Sequence, residues 1–166
     1  MGDQESRVAL IPPVAEGLVD DGHDVYVAAG AGEPANWSDA AYEEAGCTVL
    51  ADREAVFDTA DVIFQVRALG ATPDVEMDPY REGQAVVGML GPYYVSEAAL
   101  DELATRNVSA FALELMPRIS RAQSMDALSS QASLGGYKAC LLAAEELPKM
   151  FPMEMTAAAT IQPAEV

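Results

Sequence analysis

Apolar positions along this chain recur with two alternating periods, a pattern that predicts short buried strands separated by helices. An apolar run over residues 7–13 is broken by Pro12-Pro13, and residues 14–22 then carry Val14, Leu18 and Val19 at helical spacing before a glycine stop. Residues 24–29 read as a valine-rich strand ending in the turn Gly30-Ala31-Gly32. A helix is expected from near Ser38, which can cap it, with Asp39, Glu43 and Glu44 in its first turns. Further strands at 48–50, 61–66, 84–90 and 109–113 alternate with helices at 53–58 and 96–106, and residues 74–81 form a loop or short helix. Such an alternation with apolar strands implies an α/β fold, its mostly parallel sheet flanked by helices on both faces.

From about Arg121 the pattern changes to one long helical stretch reaching about Phe151, with Gly135-Gly136 as its weak point. In a small α/β domain so long a helix often carries the chain into a neighbouring domain, and residues 155–166 read as a connector. The expected organisation is therefore an α/β domain over residues 1–120 and an inter-domain helix and connector over residues 121–166. The sequence contains no internal repeat and no low-complexity tract.

Charge narrows the field. Over 166 residues, 27 acidic side chains face nine basic ones, for a formal net charge of −18. That argues against nucleic-acid and anionic-membrane binding. Scattered acids, only two lysines and 51% hydrophobic residues suit a folded protein kept soluble in salty, halophilic cytoplasm rather than a disordered acidic chain. Cys47 and Cys140 are too few and too far apart for a disulfide framework or zinc site, and both read as small buried apolar residues. No long uncharged apolar stretch or signal peptide is evident, so the chain is expected to be cytoplasmic.

Three segments could carry chemistry. Gly30-Ala31-Gly32-Glu33-Pro34-Ala35 matches the G-x-G-x-x-A pattern of a dinucleotide-binding turn, but Pro34 interrupts it, the helix begins too late and Glu33 would repel phosphates; a plain glycine turn is the better reading. His23, the one histidine, lies in Asp21-Gly22-His23-Asp24 between a helix end and a strand, where a turn role is the better explanation. The third, Pro117-Arg118-Ile119-Ser120-Arg121-Ala122-Gln123-Ser124-Met125-Asp126-Ala127-Leu128-Ser129-Ser130-Gln131, packs guanidiniums, amides, a carboxylate and hydroxyls where a strand ends, the position at which open α/β sheets present ligand-binding groups. Gln123, Asp126 and Ser130 could share a helix face, with Arg118 reaching in from the preceding loop. Arginine can bind phosphate, amide oxygen or carboxylate, while glutamine and aspartate can bond a carboxamide or ribose hydroxyls. The structural alternative makes Ser120 or Ser124 a helix cap with Asp126 in the first turn.

At this third segment the chain resembles the alpha subunit of proton-translocating NAD(P) transhydrogenases, whose nucleotide-binding component carries the same run. Glu5-Ser6-Arg7-Val8-Ala9-Leu10, Gly30-Ala31-Gly32, Ser38-Asp39, Tyr42, Ala45-Gly46, Ala60-Asp61-Val62-Ile63, Gly136-Tyr137-Lys138 and Met155-Thr156-Ala157-Ala158 extend the resemblance over nearly the whole chain. It implies NAD(H) as cofactor, with Arg118, Gln123, Asp126 and Ser129 as the binding residues, and no metal or covalent catalysis. It also implies hydride transfer between NADH and NADP+, with NADP(H) on a partner domain, coupled to proton movement through a membrane domain. The partners it implies are the remaining alpha-subunit Rossmann domain and the membrane and beta subunits, with the complete subunit a homodimer peripheral to the inner face of the cell membrane.

Measured against that family, the first strand expected before Glu5 is largely missing, and the chain stops before the Rossmann domain with its G-x-G-x-x-G turn, so that it would hold half of a binding cleft. Ala159 stands where the family's Thr-Ala-Ala-Gly run has glycine. Alanine dehydrogenase resembles the same domain and is the enzymatic rival; it would need arginine at Arg7, lysine at Arg67 and histidine near Gly91, and only the arginine is present. A split or inactive module that docks a separate cofactor domain is the other alternative.

Overall fold

The computed structural model describes residues 5–71 and 78–164 and divides the chain into two compact units, Met1–Pro117 and Arg118–Val166. In the first unit, α1 (Pro12–Asp20) begins at the two prolines instead of after them. A proline at the first helical position has its φ already set and gives up only an amide that the helix would leave unbonded. The carbonyl of Ile11 accepts from the amides of Val14 and Ala15, both at 3.0 Å. The helix ends with Gly22 at φ +90°, its amide bonded to Val19 O and that of His23 to Leu18 O, the double bond pattern of a Schellman cap. His23 is thus a turn residue at a helix end.

Strand β1 (Tyr26–Ala28) pairs in parallel with β2 (Thr48–Leu50), Val27 opposite Val49. Between them runs α2 (Asp39–Glu44), whose cap is the Ser38 hydroxyl accepting from Ala41 N. Tyr42 of α2 is fully buried, and its hydroxyl donates to Leu10 O at 2.8 Å. Around it Ala15, Val27 and Cys47 form one small core.

A second core lies under a three-stranded parallel sheet of β3 (Val62–Arg67), β4 (Ala85–Met89) and β5 (Ser109–Ala112), in that order. Phe57 of α3 (Arg53–Thr59) and Leu103 of α4 (Glu97–Thr105) pack there with Ile63, Tyr80, Val86 and Leu90. The expected single sheet is therefore two parallel sheets, each with its own core, flanked by helices. Residues 72–77 of the expected loop or short helix at 74–81 lie outside the described residues; residues 78–81 are irregular.

Gln84, 2% exposed, shows how a buried amide is tolerated. Its Nε2 donates to the carbonyls of Phe57 (2.7 Å) and Ala60 (2.6 Å), and its Oε1 accepts from Arg81 N (2.5 Å). The Arg81 guanidinium reaches the same two carbonyls at 2.9 and 2.8 Å, so the open end of α3 is closed by two side chains.

In the second unit the expected helix over residues 121–151 is shorter. Ser120–Met125 is a 3-10 turn, and the α-helix α5 runs from Ala127 to Glu146, passing through Gly135 and Gly136 without a break. The C-terminal residues expected to form a connector include a short antiparallel hairpin, β6 (Glu154–Met155) with β7 (Thr160–Ile161). Thr156 closes it by accepting from Ala159 N and donating to Ala159 O. Cys140 on α5 is exposed, contrary to expectation, because α5 has no buried residue; Cys47 is buried as expected.

Candidate functional site

The polar segment before α5 folds around Asp126. This residue sits at the helix start with φ −79° and ψ 83°, and its Oδ1 accepts from the Ser129 amide at 2.9 Å while Oδ2 accepts from the Ser129 hydroxyl at 2.6 Å. Asp126 is itself the helix cap, so neither Ser120 nor Ser124 is. Those two bonds, the hydroxyl's first, hold its carboxyl below the ordinary carboxylate range, and the Arg118 guanidinium adds to the effect. The group is a fixed anion at neutral pH.

Arg118 and Gln123 are exposed. Gln123 belongs to the 3-10 turn and accepts Asp126 N on its backbone carbonyl at 3.2 Å, so it does not share an α-helical face with Asp126 and Ser130. Ser130 instead donates its hydroxyl to Asp126 O. The structure thus brings Arg118, Asp126 and Ser129 into electrostatic or hydrogen-bonding relation and places Gln123 three residues before the cap. A carboxylate offers about four lone-pair sites, so Asp126 keeps acceptor capacity for an incoming N–H or O–H after serving Ser129, and Arg118 offers a cation beside it. That donor and acceptor set fits a carboxamide or a ribose hydroxyl.

The glycine turn at residue 30 is closed to phosphate. Asp39 Oδ1 accepts from Gly30 N at 2.9 Å, placing a carboxylate where an anion would need the amide. Gly32 is needed for packing, since a Cβ there would lie 2.6 Å from the Tyr42 ring.

The carboxyl ends of β3, β4 and β5 hold a second cluster. Arg7 donates Nε and Nη2 to the two oxygens of Glu5, each at 2.8 Å, and Arg67 Nε lies 3.4 Å from the same carboxylate. The Arg7 bond, opposed in part by burial, brings the Glu5 pKa down to about 2. Glu114 binds the neighbouring loop, accepting from Leu90 N (3.1 Å) and Gly91 N (2.8 Å). Gly91, at φ +56°, lies against Gly70, and a Cβ on it would come within 2.5 Å of Ala71 N and Gly70 C. A histidine cannot stand at position 91 on this backbone, and Arg67 is an ion-pair partner of Glu5. The histidine and lysine that an alanine dehydrogenase is expected to use near these positions are replaced by Gly91 and Arg67. Sequence reasoning missed the roles of Glu5 and Glu114: Glu5 lies two residues from Arg7, but nothing along the chain signals Arg67, 62 positions from Glu5, as its second partner.

Among the described residues there is no grouping able to hold a metal ion, and no helix long and apolar enough to cross a membrane. Two parallel sheets joined by βα crossovers in the first unit, and a carboxylate-capped helix in the second, make this an α/β protein. The family of alanine dehydrogenase/PNT N-terminal domains matches residues 1–135, and the chain belongs to that family. It is 42% identical over 166 residues to a Rhodospirillum rubrum protein named as the first portion of the NAD(P) transhydrogenase alpha subunit, covering 98% of this chain and 42% of that protein. The crystal structure of transhydrogenase from Sinorhizobium meliloti superposes with a TM-score of 0.84 at 43% identity, over 99% of this chain and 46% of that one. Alanine dehydrogenase of Methanococcus maripaludis is more distant, at 30% identity over 148 residues, 89% of this chain and 38% of that protein. The chain therefore spans less than half the length of these relatives.

Proposed function

We propose that the chain supplies one wall of the NAD(H) site of an NAD(P) transhydrogenase alpha subunit, with Arg118, Gln123, Asp126 and Ser129 as the cofactor contacts. The observation that carries this reading is Asp126, fixed as an anion by two Ser129 bonds beside a cation at the start of α5. Greater similarity to transhydrogenases than to alanine dehydrogenases supports it. When bound, NADH supplies the hydride; the chain's own groups orient it, Asp126 accepting from the carboxamide or a ribose hydroxyl and Arg118 donating to an oxygen. Residues 1–120 act as the α/β domain and residues 121–166 as the link to a Rossmann domain that completes the cleft. In the assembled enzyme, a homodimer of complete alpha subunits, hydride passes to NADP+ on a separate domain. Membrane and beta subunits couple that transfer to proton translocation at the inner face of the cell membrane. The charge of −18 suits a salt-rich cytoplasm.

Calorimetric titration with NADH in concentrated KCl tests the reading, on this chain and on the chain together with the remainder of the subunit. Only the completed form should bind. In that form Asp126→Asn, which still caps the helix, should weaken NADH binding about tenfold with no loss of helix by circular dichroism. Unchanged affinity would remove Asp126 from the site.

A further inference from the structure

The backbone ladder between β4 and β5 ends with Gly88 opposite Ala112. Beyond that pair a side chain continues it: Glu114 Oε2 accepts from Leu90 N at 3.1 Å and Oε1 from Gly91 N at 2.8 Å. Two adjacent amides need two acceptors, and a single carboxylate supplies both. The loop that it grips is itself fixed. Leu90 belongs to the core, and Gly91 lies so close to Gly70 that a Cβ on Gly70 would strike the Gly91 carbonyl oxygen. Tyr94 N closes the following turn on Gly91 O at 2.8 Å.

Downstream of Glu114 the backbone has little freedom. The residue stands in the middle of a 3-10 turn, Leu113–Leu115, closed by Met116 N on Leu113 O at 3.2 Å. Met116 follows at φ −59° and ψ 127°, the extended region into which a residue before proline is pushed, and Pro117 locks its own φ. Arg118 comes next, four residues after Glu114, and four residues span at most about 14 Å. We infer that Glu114 is a positioning residue for the nucleotide segment: by pinning its turn to the rigid loop after β4, it holds the point at which residues 118–129 leave the sheet. It acts through the backbone that carries Arg118 and Asp126 and touches no cofactor. The inference rests on the proposal that those residues contact NAD(H).

NADH titration of the completed subunit tests it in a cycle of four forms: wild type, Glu114→Gln, Asp126→Asn and the double variant. Glutamine keeps one acceptor oxygen and turns an amino group toward the second amide, so one of the two bonds is lost. Glu114→Gln should weaken NADH binding about tenfold, the worth of one charge-assisted hydrogen bond, with an unchanged circular dichroism spectrum. Because Glu114 works through the segment that Asp126 anchors, the double variant should bind no more than about threefold more weakly than Asp126→Asn alone. Glu114→Asp, too short to span both amides, should show the same pattern and serves if the glutamine variant folds poorly. A full tenfold loss repeated in the Asp126→Asn background would mean a general structural role and overturn the inference, as would unchanged affinity in both Glu114 variants while Asp126→Asn binds weakly. Unchanged affinity in Asp126→Asn would instead sink the contact assignment, and the inference with it.

Discussion

Replacing Gly91 with alanine isolates the contact that closes this loop to any side chain. Two costs are expected. An L-residue at φ +56° sits in the left-handed region, which costs about 1–2 kcal/mol. In addition the new Cβ would lie 2.5 Å from Ala71 N and Gly70 C and 2.7 Å from Gly70 O, all backbone atoms with no rotamer to yield. Forcing such a shift adds roughly 1–3 kcal/mol, for a total of about 2–5 kcal/mol. Gly83→Ala is the control: its φ is +78°, but nothing lies within 4 Å of the added carbon, so only the conformational cost of about 1–2 kcal/mol applies. Urea denaturation of both variants in concentrated KCl, with tyrosine and tryptophan fluorescence as the probe, gives the comparison. Gly91→Ala should lose about 2 kcal/mol more than Gly83→Ala and melt roughly 4–8 °C lower. Equal losses would mean that the loop has room, and the steric case against a histidine at position 91 would fall with it.

Gln84→Leu keeps the shape but removes three hydrogen bonds; because Arg81 still serves the Phe57 and Ala60 carbonyls, the expected loss is about 2 kcal/mol in the same urea assay, and a neutral result would show the amide to be dispensable. Glu5 has its folded pKa depressed from 4.5 to about 2, so its contribution is fully present above the unfolded value and disappears as pH falls from about 4.5 through 2. Wild type should exceed Glu5→Gln by at most about 1 kcal/mol at neutral pH, solvent screening limiting the gain, and the gap should close near pH 2; a gap that widens in acid would reverse the assignment. Ellman's reagent should titrate Cys140 within seconds in the native chain and reach Cys47 only on unfolding, since burial both shields the Cys47 thiol and pushes its pKa up.

Much of the local structure was legible because it depends on neighbours in sequence. Ser38 and Ser96 cap their helices as serines before acid-rich turns do. Gly22 ends α1 because a left-handed residue is needed there. The cluster from Arg118 to Ser129 was equally visible as a set of residues, since its polar groups crowd one short stretch. Its geometry was not. A spacing of three or four suits any helix, but whether Gln123 sits on it depends on where the 3-10 turn gives way to α5.

Periodicity, caps and turns act over a few residues, so the order of strands and helices, most helix ends and the identity of the polar segment could be read from the chain alone. Folding in three dimensions was needed to divide the strands into two sheets, to set Asp39 against the amide of the glycine turn, and to make Arg67 share Glu5 with Arg7. It was needed as well to close Gly70 and Gly91 on each other and to line up Phe64, Val87 and Phe111 on an open face. Those outcomes depend on contacts between residues far apart in the chain, and each is fixed by the packing of whole elements, which local pattern does not encode.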